Sequence, residues 1–231
     1  MSYKLMNKSD LDIYLKELTK IIRKNNRKNN VSYELILVGG ASILVNYDFR
    51  NSTSDIDVID VDNILMNDAI DIVAKKYSLP SDWINTDFKL TKSYSDKLIQ
   101  YSSFYKSFGN GTLKIRTIKD EYLIAMKLVS GRKYKNDLSD IIGIVNEIRK
   151  KRIIGIEEID RAIIELYGTF DLIKKEAYDL LLKCLKDKEF DYFSINEIEK
   201  INRDRILEND EDIRFLTEDN IEYILNKIKN D

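Results

Sequence analysis

Residues 35–59 read LILVGGASILVNYDFRNSTSDIDVI, and no other stretch constrains the fold as much. The apolar run 33–38 has the length of a buried strand. Gly39-Gly40 ends it, and 41–47 follows as a short helix. Glycines let the backbone come close to a ligand, and the first N–H groups of a helix form an anion site. Ser42 adds a hydroxyl nearby. After a spacer comes Asp55-Ile56-Asp57, opening a segment, 56–61, that alternates acidic and apolar residues. Alternate residues of a strand face one side. Asp55 and Asp57 are therefore expected to project together, with Ile56 and Val58 turned to the core. Two carboxylates beside a phosphate cradle are what metal-assisted phosphoryl transfer needs. A Gly-Gly turn alone is usually only a turn, and an Asp-x-Asp alone is usually a solvated strand face. Their conjunction in this order is far more specific.

Composition narrows the chemistry. The chain has no histidine, which excludes a His general base, a Ser-His-Asp triad and a His-ligated metal. Its single cysteine, Cys184, excludes an internal disulfide and a Cys-based zinc site, and its apolar neighbours Leu181, Leu182 and Leu185 mark a core thiol. A metal here must have oxygen ligands, which favours Mg2+ or Mn2+. With 43% apolar residues the 231-residue chain can bury a sizeable core. Charged residues make up 34%, yet the net charge is only −2, so a nucleic-acid partner would need a local basic patch. No signal peptide and no membrane-length apolar run is present, and the protein is expected to be cytoplasmic, without a membrane partner.

The organisation is mixed α/β over 1–118 and helical over 119–231, with a soft boundary at Lys119. Ser9 is expected to cap a helix whose apolar residues include Leu11, Leu15, Leu18 and Ile22. Residues 64–77 are helical by period, and Pro80 opens a loop. Segments 101–108 and 112–118 flank Gly109-Asn110-Gly111, a hairpin signal. Helices are expected at 120–132, at 136–151 and from 156 to 229, with breaks at Gly168 and 209–212.

The Gly-Gly, spacer, Asp-Ile-Asp pattern resembles the first motif of the DNA polymerase β superfamily of nucleotidyltransferases. More narrowly, it is similar to the minimal bacterial domains related to AbiEii-type toxins, whose motif commonly ends with Arg, Thr and Asp-Ile-Asp, as in Arg50, Thr53 and 55–57 here. The stretch LPSDWIN (79–85) resembles a Leu-Pro-x-Asp-Trp-Leu-Asn stretch of that branch. EYLIAMKLVSGRKYKNDLSD (121–140) resembles its helix with Lys, Arg, Lys-x-Asp and a second Asp. The resemblance covers about 33–145 and implies an α/β (α+β) nucleotidyltransferase-like domain with a mixed sheet, followed by a helical C-terminal region. It further implies transfer of a nucleotide from an NTP to an acceptor hydroxyl, RNA among the candidates, with a cognate antitoxin as partner. Gly39, Gly40 and Ser42 would hold the phosphates and Asp55 and Asp57 the magnesium. Lys127 would meet a phosphate, Arg132 and Lys135 would stand on the same segment, and Asp137 and Asp140 would complete a polar cluster. Many members carry a third carboxylate on a later strand. The natural strand here, 113–118, offers Lys114 and Arg116 instead, with Asp87, Asp120 and Glu121 as substitutes. The alternative is an inactive nucleotide- or partner-binding module on the same fold.

Overall fold

The computed structural model describes residues 5–25, 32–59, 64–187 and 190–208. Helix α1 (Lys8–Asn25) begins on a reciprocal cap. The Asp10 N–H donates to Asn7 Oδ1 at 2.9 Å and the Asn7 N–H donates to Asp10 Oδ2 at 3.0 Å. The expected cap, Ser9, lies inside the helix. Asn7 takes the role because an acid three residues on answers its own N–H.

Strand β1 (Tyr33–Leu37) leads through Gly39 into helix α2 (Gly39–Asn46). Strand β2 (Ile56–Asp57) is followed by helix α3 (Ile64–Tyr77) and strand β3 (Ile84–Asn85). The expected strand 56–61 is thus short, with a further bridge at Val58, and 60–63 lie outside the described residues. β4 (Ser102–Phe108) and β5 (Leu113–Ile118) form the expected antiparallel hairpin, and Gly109, Asn110 and Gly111 all take positive φ in its turn.

β1 pairs in parallel with β5, while β2 pairs in parallel with β3. Among the described residues an antiparallel bridge, Leu37 to Val58, joins the two sheets. There the Val38 N–H donates to Asp57 O at 2.9 Å and the Ile59 N–H donates to Ile36 O at 3.1 Å. The strand order therefore reads β4-β5-β1-β2-β3. Leu35, Leu37, Ile56, Val58, Leu113 and Ile115 share a core with Leu15, Leu18 and Ile22 of α1 and Met66, Ile70 and Val73 of α3. Trp83 is fully buried in that core, its indole N–H donating to Ile70 O at 3.1 Å and its ring edge-on to Tyr14. It anchors the 79–85 loop that delivers β3, and is no exposed platform for a base.

The chain packs as two units. The first comprises Met1–Met126 and Glu157–Leu172, the second Lys127–Ile156 and Ile173–Asp231. The division falls within helix α4 (Asp120–Ser130). Helix α6 (Ile156–Tyr167) belongs almost wholly to the first unit, where it meets the 93–95 segment. Tyr167 O–H donates to Ser93 O at 2.8 Å and Ser95 Oγ–H to Leu166 O at 2.9 Å. The second unit is built on α5 (Asp137–Arg149), α7 (Lys175–Lys186) and α8 (Tyr192–Glu208). Cys184 is buried on α7, and burial pushes its thiol up to about 11, as a core thiol requires. The expected helix beyond 208 and the break at 209–212 lie outside the described residues. No described helix is long and apolar enough to cross a membrane.

Candidate active site

The strand-to-helix turn and the Asp-Ile-Asp strand meet in the first unit. Gly39 sits at φ +53°, a left-handed conformation that turns the chain from β1 into α2 and disfavours any side chain. A Cβ built on Gly39 would stand 3.3 Å from Asp57 Oδ2, and one on Gly40 would stand 2.7 Å from Arg50 Nη2 and 3.0 Å from Thr53 Oγ1. Both glycines thus leave open the space between the helix start and a charged group. Val38, at the cap position, makes no side-chain hydrogen bond to the first turn of α2. That turn carries the positive end of the helix dipole. Arg50 adds a full positive charge beside it, its Nε–H donating to Ser52 O at 3.2 Å. The sequence places Arg50 in the motif but assigns it no role; the fold brings its guanidinium beside Gly40.

Ile56 and Val58 are fully buried while Asp55 and Asp57 are half-buried, so the two acids share the face away from α1 and α3. Ser54 Oγ–H donates to Asp55 Oδ1 at 3.3 Å, and Thr53 Oγ1–H donates to Asp55 O at 3.1 Å. Among the described residues no group of three or more His, Cys, Asp or Glu is placed to hold a metal. Two carboxylates still suit a hard cation that takes its remaining oxygens from phosphate and water. The open space beside Asp57 Oδ2, which a Cβ on Gly39 would fill, fits that use.

No acid stands on β5 (Leu113–Ile118), as the sequence reads. The strand beside β2 is β3, while β5 lies on the far side of β1. The residue in register with Asp57 is Asn85. Its amide N–H donates to Asp82 O at 3.1 Å and its amide oxygen accepts the Asp87 N–H at 2.9 Å. Asp87 is exposed two residues on. Asp120 accepts the Tyr47 O–H at 2.5 Å. Arg116, on β5, donates through Nη2 to Ser102 O at 2.7 Å and lies 3.7 Å from Glu34.

Ser42 is fully buried, and its Oγ accepts the Ile118 N–H at 3.3 Å, which engages it in holding α2 to β5. Of the aromatic residues 101, 104, 105 and 108, Tyr101 stacks on Tyr122 at 3.9 Å, Phe108 is buried and Tyr105 packs on the core. Phe104 is 64% exposed.

In the second unit Lys127, Arg132, Asp137 and Asp140 form one ion-pair network. Lys127 Nζ is 2.7 Å from Asp137 Oδ1 and 2.9 Å from Asp140 Oδ2. Arg132 reaches Asp137 through Nε at 2.7 Å, through Nη2 at 3.3 Å and through its backbone N–H at 3.1 Å. Both aspartates are fully buried and Lys127 is 7% exposed, so Lys127 is no snorkelling surface lysine. Burial alone would raise the Asp137 carboxyl. Lys127 and then Arg132 outweigh it and hold the group well below the usual carboxylate range. Lys135 is exposed on the 131–136 segment.

The mixed sheet and helical C-terminal region are those of a nucleotidyltransferase-like domain. A family model described as "Nucleotidyltransferase of unknown function (DUF6036)" matches residues 14–151, and the chain belongs to that family. No curated protein and no solved structure matches it. The match spans the Gly-Gly turn, the Asp-Ile-Asp strand and the Lys127–Asp140 network.

Proposed function

We propose that the chain transfers a nucleotidyl group from an NTP to an acceptor hydroxyl, with Gly39, Gly40 and Arg50 on the phosphates and Asp55 and Asp57 as ligands of Mg2+ or Mn2+. The observation that carries this reading is the placement of Asp57. Its backbone oxygen accepts the Val38 N–H, and its carboxylate stands 3.3 Å from where a Gly39 Cβ would be. A phosphate at the start of α2 would then lie beside a carboxylate suited to a cation. When bound, the ion would offset triphosphate charge and stabilise the leaving pyrophosphate.

The chain's own part is positioning and electrostatics. First-turn N–H groups of α2 would donate to phosphate oxygens, and the Arg50 guanidinium beside Gly40 would offset their charge. The acceptor oxygen bonds to the α-phosphorus, the bond from that phosphorus to the bridging oxygen breaks, and pyrophosphate leaves. Asn85, an amide, takes no proton, and the acceptor hydroxyl's proton is released to solvent. We carry over for Lys127, Arg132 and Lys135 the phosphate-contacting role that the resemblance implies, with Asp137 and Asp140 orienting the first two. An RNA hydroxyl as acceptor and a cognate antitoxin as partner are supported by the resemblance at 79–85 and 121–140.

The test is incubation of the protein with labelled NTPs and total RNA, with and without Mg2+, scoring label transfer and pyrophosphate. Asp57→Ala should abolish both while the thermal midpoint stays near that of the wild type; wild-type transfer by this variant rejects the assignment. The presence of Asn85 in register with Asp57 favours a second reading, nucleotide binding without transfer. It predicts metal-dependent NTP binding in a calorimeter and no pyrophosphate.

A further inference from the structure

Helix α8 buries two polar side chains while leaving large apolar ones exposed. Its outward face carries Phe193 at 78%, Ile198 at 53% and Ile201 at 42% exposure, while Glu199 and Asn202 are buried at 1% and 4%. Burying a carboxyl instead of an available isoleucine is unfavourable unless the carboxyl finds donors. It finds them at the start of α5. Asn136, the cap residue of α5, makes no side-chain cap bond; its Oδ1 accepts from Arg203 Nη1 at 3.4 Å instead. Glu199 supplies the missing acceptor from a remote point in the chain. Its Oε1 accepts the Leu138 N–H at 2.7 Å, and its Oε2 accepts the Ser139 N–H at 3.3 Å and the Ser139 Oγ–H at 2.5 Å. Asn196 Nδ2 donates to Ser139 Oγ at 3.2 Å, and Asn202 Nδ2 donates to Lys133 O at 2.8 Å.

These bonds converge on one stretch, 133–139, between the two halves of the Lys127 network. Arg132 precedes it and Asp137 lies within it, with Asp140 one residue beyond. We infer that Glu199 is a positioning residue: gripping the first turn of α5 from α8, it fixes the carboxylates of Asp137 and Asp140 and through them the cations Lys127 and Arg132. The inference rests on the reading of Lys127 and Arg132 as phosphate contacts. Burial, with Asp140 and Asp137 nearby, pushes the Glu199 carboxyl up to about 8.

The test uses the full chain and four probes, ATP, GTP, CTP and UTP with Mg2+, titrated calorimetrically below the unfolding range of each variant. For the NTP that binds, Glu199→Ala should weaken affinity about tenfold or more, since small misplacements of a charged contact have large effects. Amide exchange at Leu138 and Ser139 should quicken in the same variant. Glu199→Gln keeps one of the two acceptor oxygens, and should retain more affinity and more protection than Glu199→Ala. Lys127→Met should also weaken binding. Wild-type affinity in Glu199→Ala, with weakened affinity in Lys127→Met, overturns the positioning role and leaves the phosphate reading standing. Wild-type affinity in Lys127→Met overturns the phosphate reading and the positioning role with it. If Glu199→Ala does not fold, Glu199→Asp and Asn202→Ala decide. Weakened NTP binding in both supports the inference, and wild-type binding in either overturns it.

Discussion

Alanine at Gly39 and alanine at Gly40 should separate fold from site. At Gly39 the backbone is left-handed, at φ +53°, and an added Cβ meets Asp57 Oδ2 at 3.3 Å. An L-residue held there costs about 1–2 kcal/mol. For a chain of this size that lowers the thermal midpoint by roughly 2–8 °C. At Gly40 no such strain exists. The added Cβ overlaps Arg50 Nη2 at 2.7 Å, the far end of a flexible side chain, and meets Thr53 Oγ1 at 3.0 Å. Arg50 can swing away, and alanine gains up to about 1 kcal/mol over glycine in a helix, which offsets the tightness against Thr53. Gly40→Ala should therefore stay within about 1 kcal/mol of the wild type. It should nonetheless lose most NTP affinity, because the methyl fills the approach to the α2 N–H groups and displaces the Arg50 cation. The assay is a urea melt of each variant, with calorimetric NTP titration in Mg2+. A Gly40→Ala protein as unstable as Gly39→Ala would refute the packing argument. A stable Gly40→Ala protein with wild-type NTP affinity would refute the placement of phosphate at this turn.

Two further predictions concern the buried charges. Lys127→Met leaves two fully buried aspartates with Arg132 as the remaining cation of the network, and should destabilise the protein by about 3–5 kcal/mol in a urea melt; a loss under about 1 kcal/mol would show that the ion pairs are dispensable. The pH profile should carry two opposite signatures. Asp137, held low when folded, contributes stability present above the ordinary carboxylate value and lost as pH falls through its folded value. Glu199, raised from 4.5 to about 8, keeps its proton when folded and releases it when unfolded, so its contribution falls as pH rises between those values. Glu199→Gln cannot titrate, and its stability relative to the wild type should climb from pH 5 to pH 8, by at most about 1.4 kcal/mol per pH unit. Parallel profiles for the two proteins would show that Glu199 ionises alike in both states.

Much of the first unit was legible because its signals are local. The apolar run before Gly39-Gly40, the Gly-Asn-Gly turn between β4 and β5 and the period of 64–77 each name an element without reference to the rest of the chain. Pairing is not local, and there the reading failed. Nothing in LKIRTI says that it lies beside β1 and away from β2, and a two-residue strand at Ile84–Asn85 has no periodicity to detect. The neighbour of the Asp-Ile-Asp strand, β3, was therefore not identified. The cap of α1 was missed by two residues, since Ser9 and Asn7 are both good caps and only the reciprocal bond with Asp10 decides. Arg50 needed the folded distance to Gly40 before it had a role. Glu199 was hidden because α8 inverts the usual pattern: its isoleucines and phenylalanine suggest an ordinary buried stripe, and the acid among them reads as solvated. The signal was present in the failure of Phe193, Ile198 and Ile201 to line up with Ile206, which is buried.

The bridge between Leu37 and Val58 sets how this protein can tolerate change. The Gly-Gly turn hangs from β1 and the Asp-Ile-Asp pair from β2, and among the described residues the peptide bonds Val38 to Asp57 and Ile59 to Ile36 keep them in step. The chain from Tyr47 to Ser52 closes the loop between the two strands but does not set the distance between them. Insertions near Asp48 should therefore leave the turn and the aspartates aligned, provided Arg50 still reaches Gly40 and Thr53 still pairs with Met6. A proline at residue 38 or 59 would remove one of the two peptide donors and let the strands slip. The site's alignment is thus a property of a seam and not of a spacer, and the spacer is where length variation among relatives belongs.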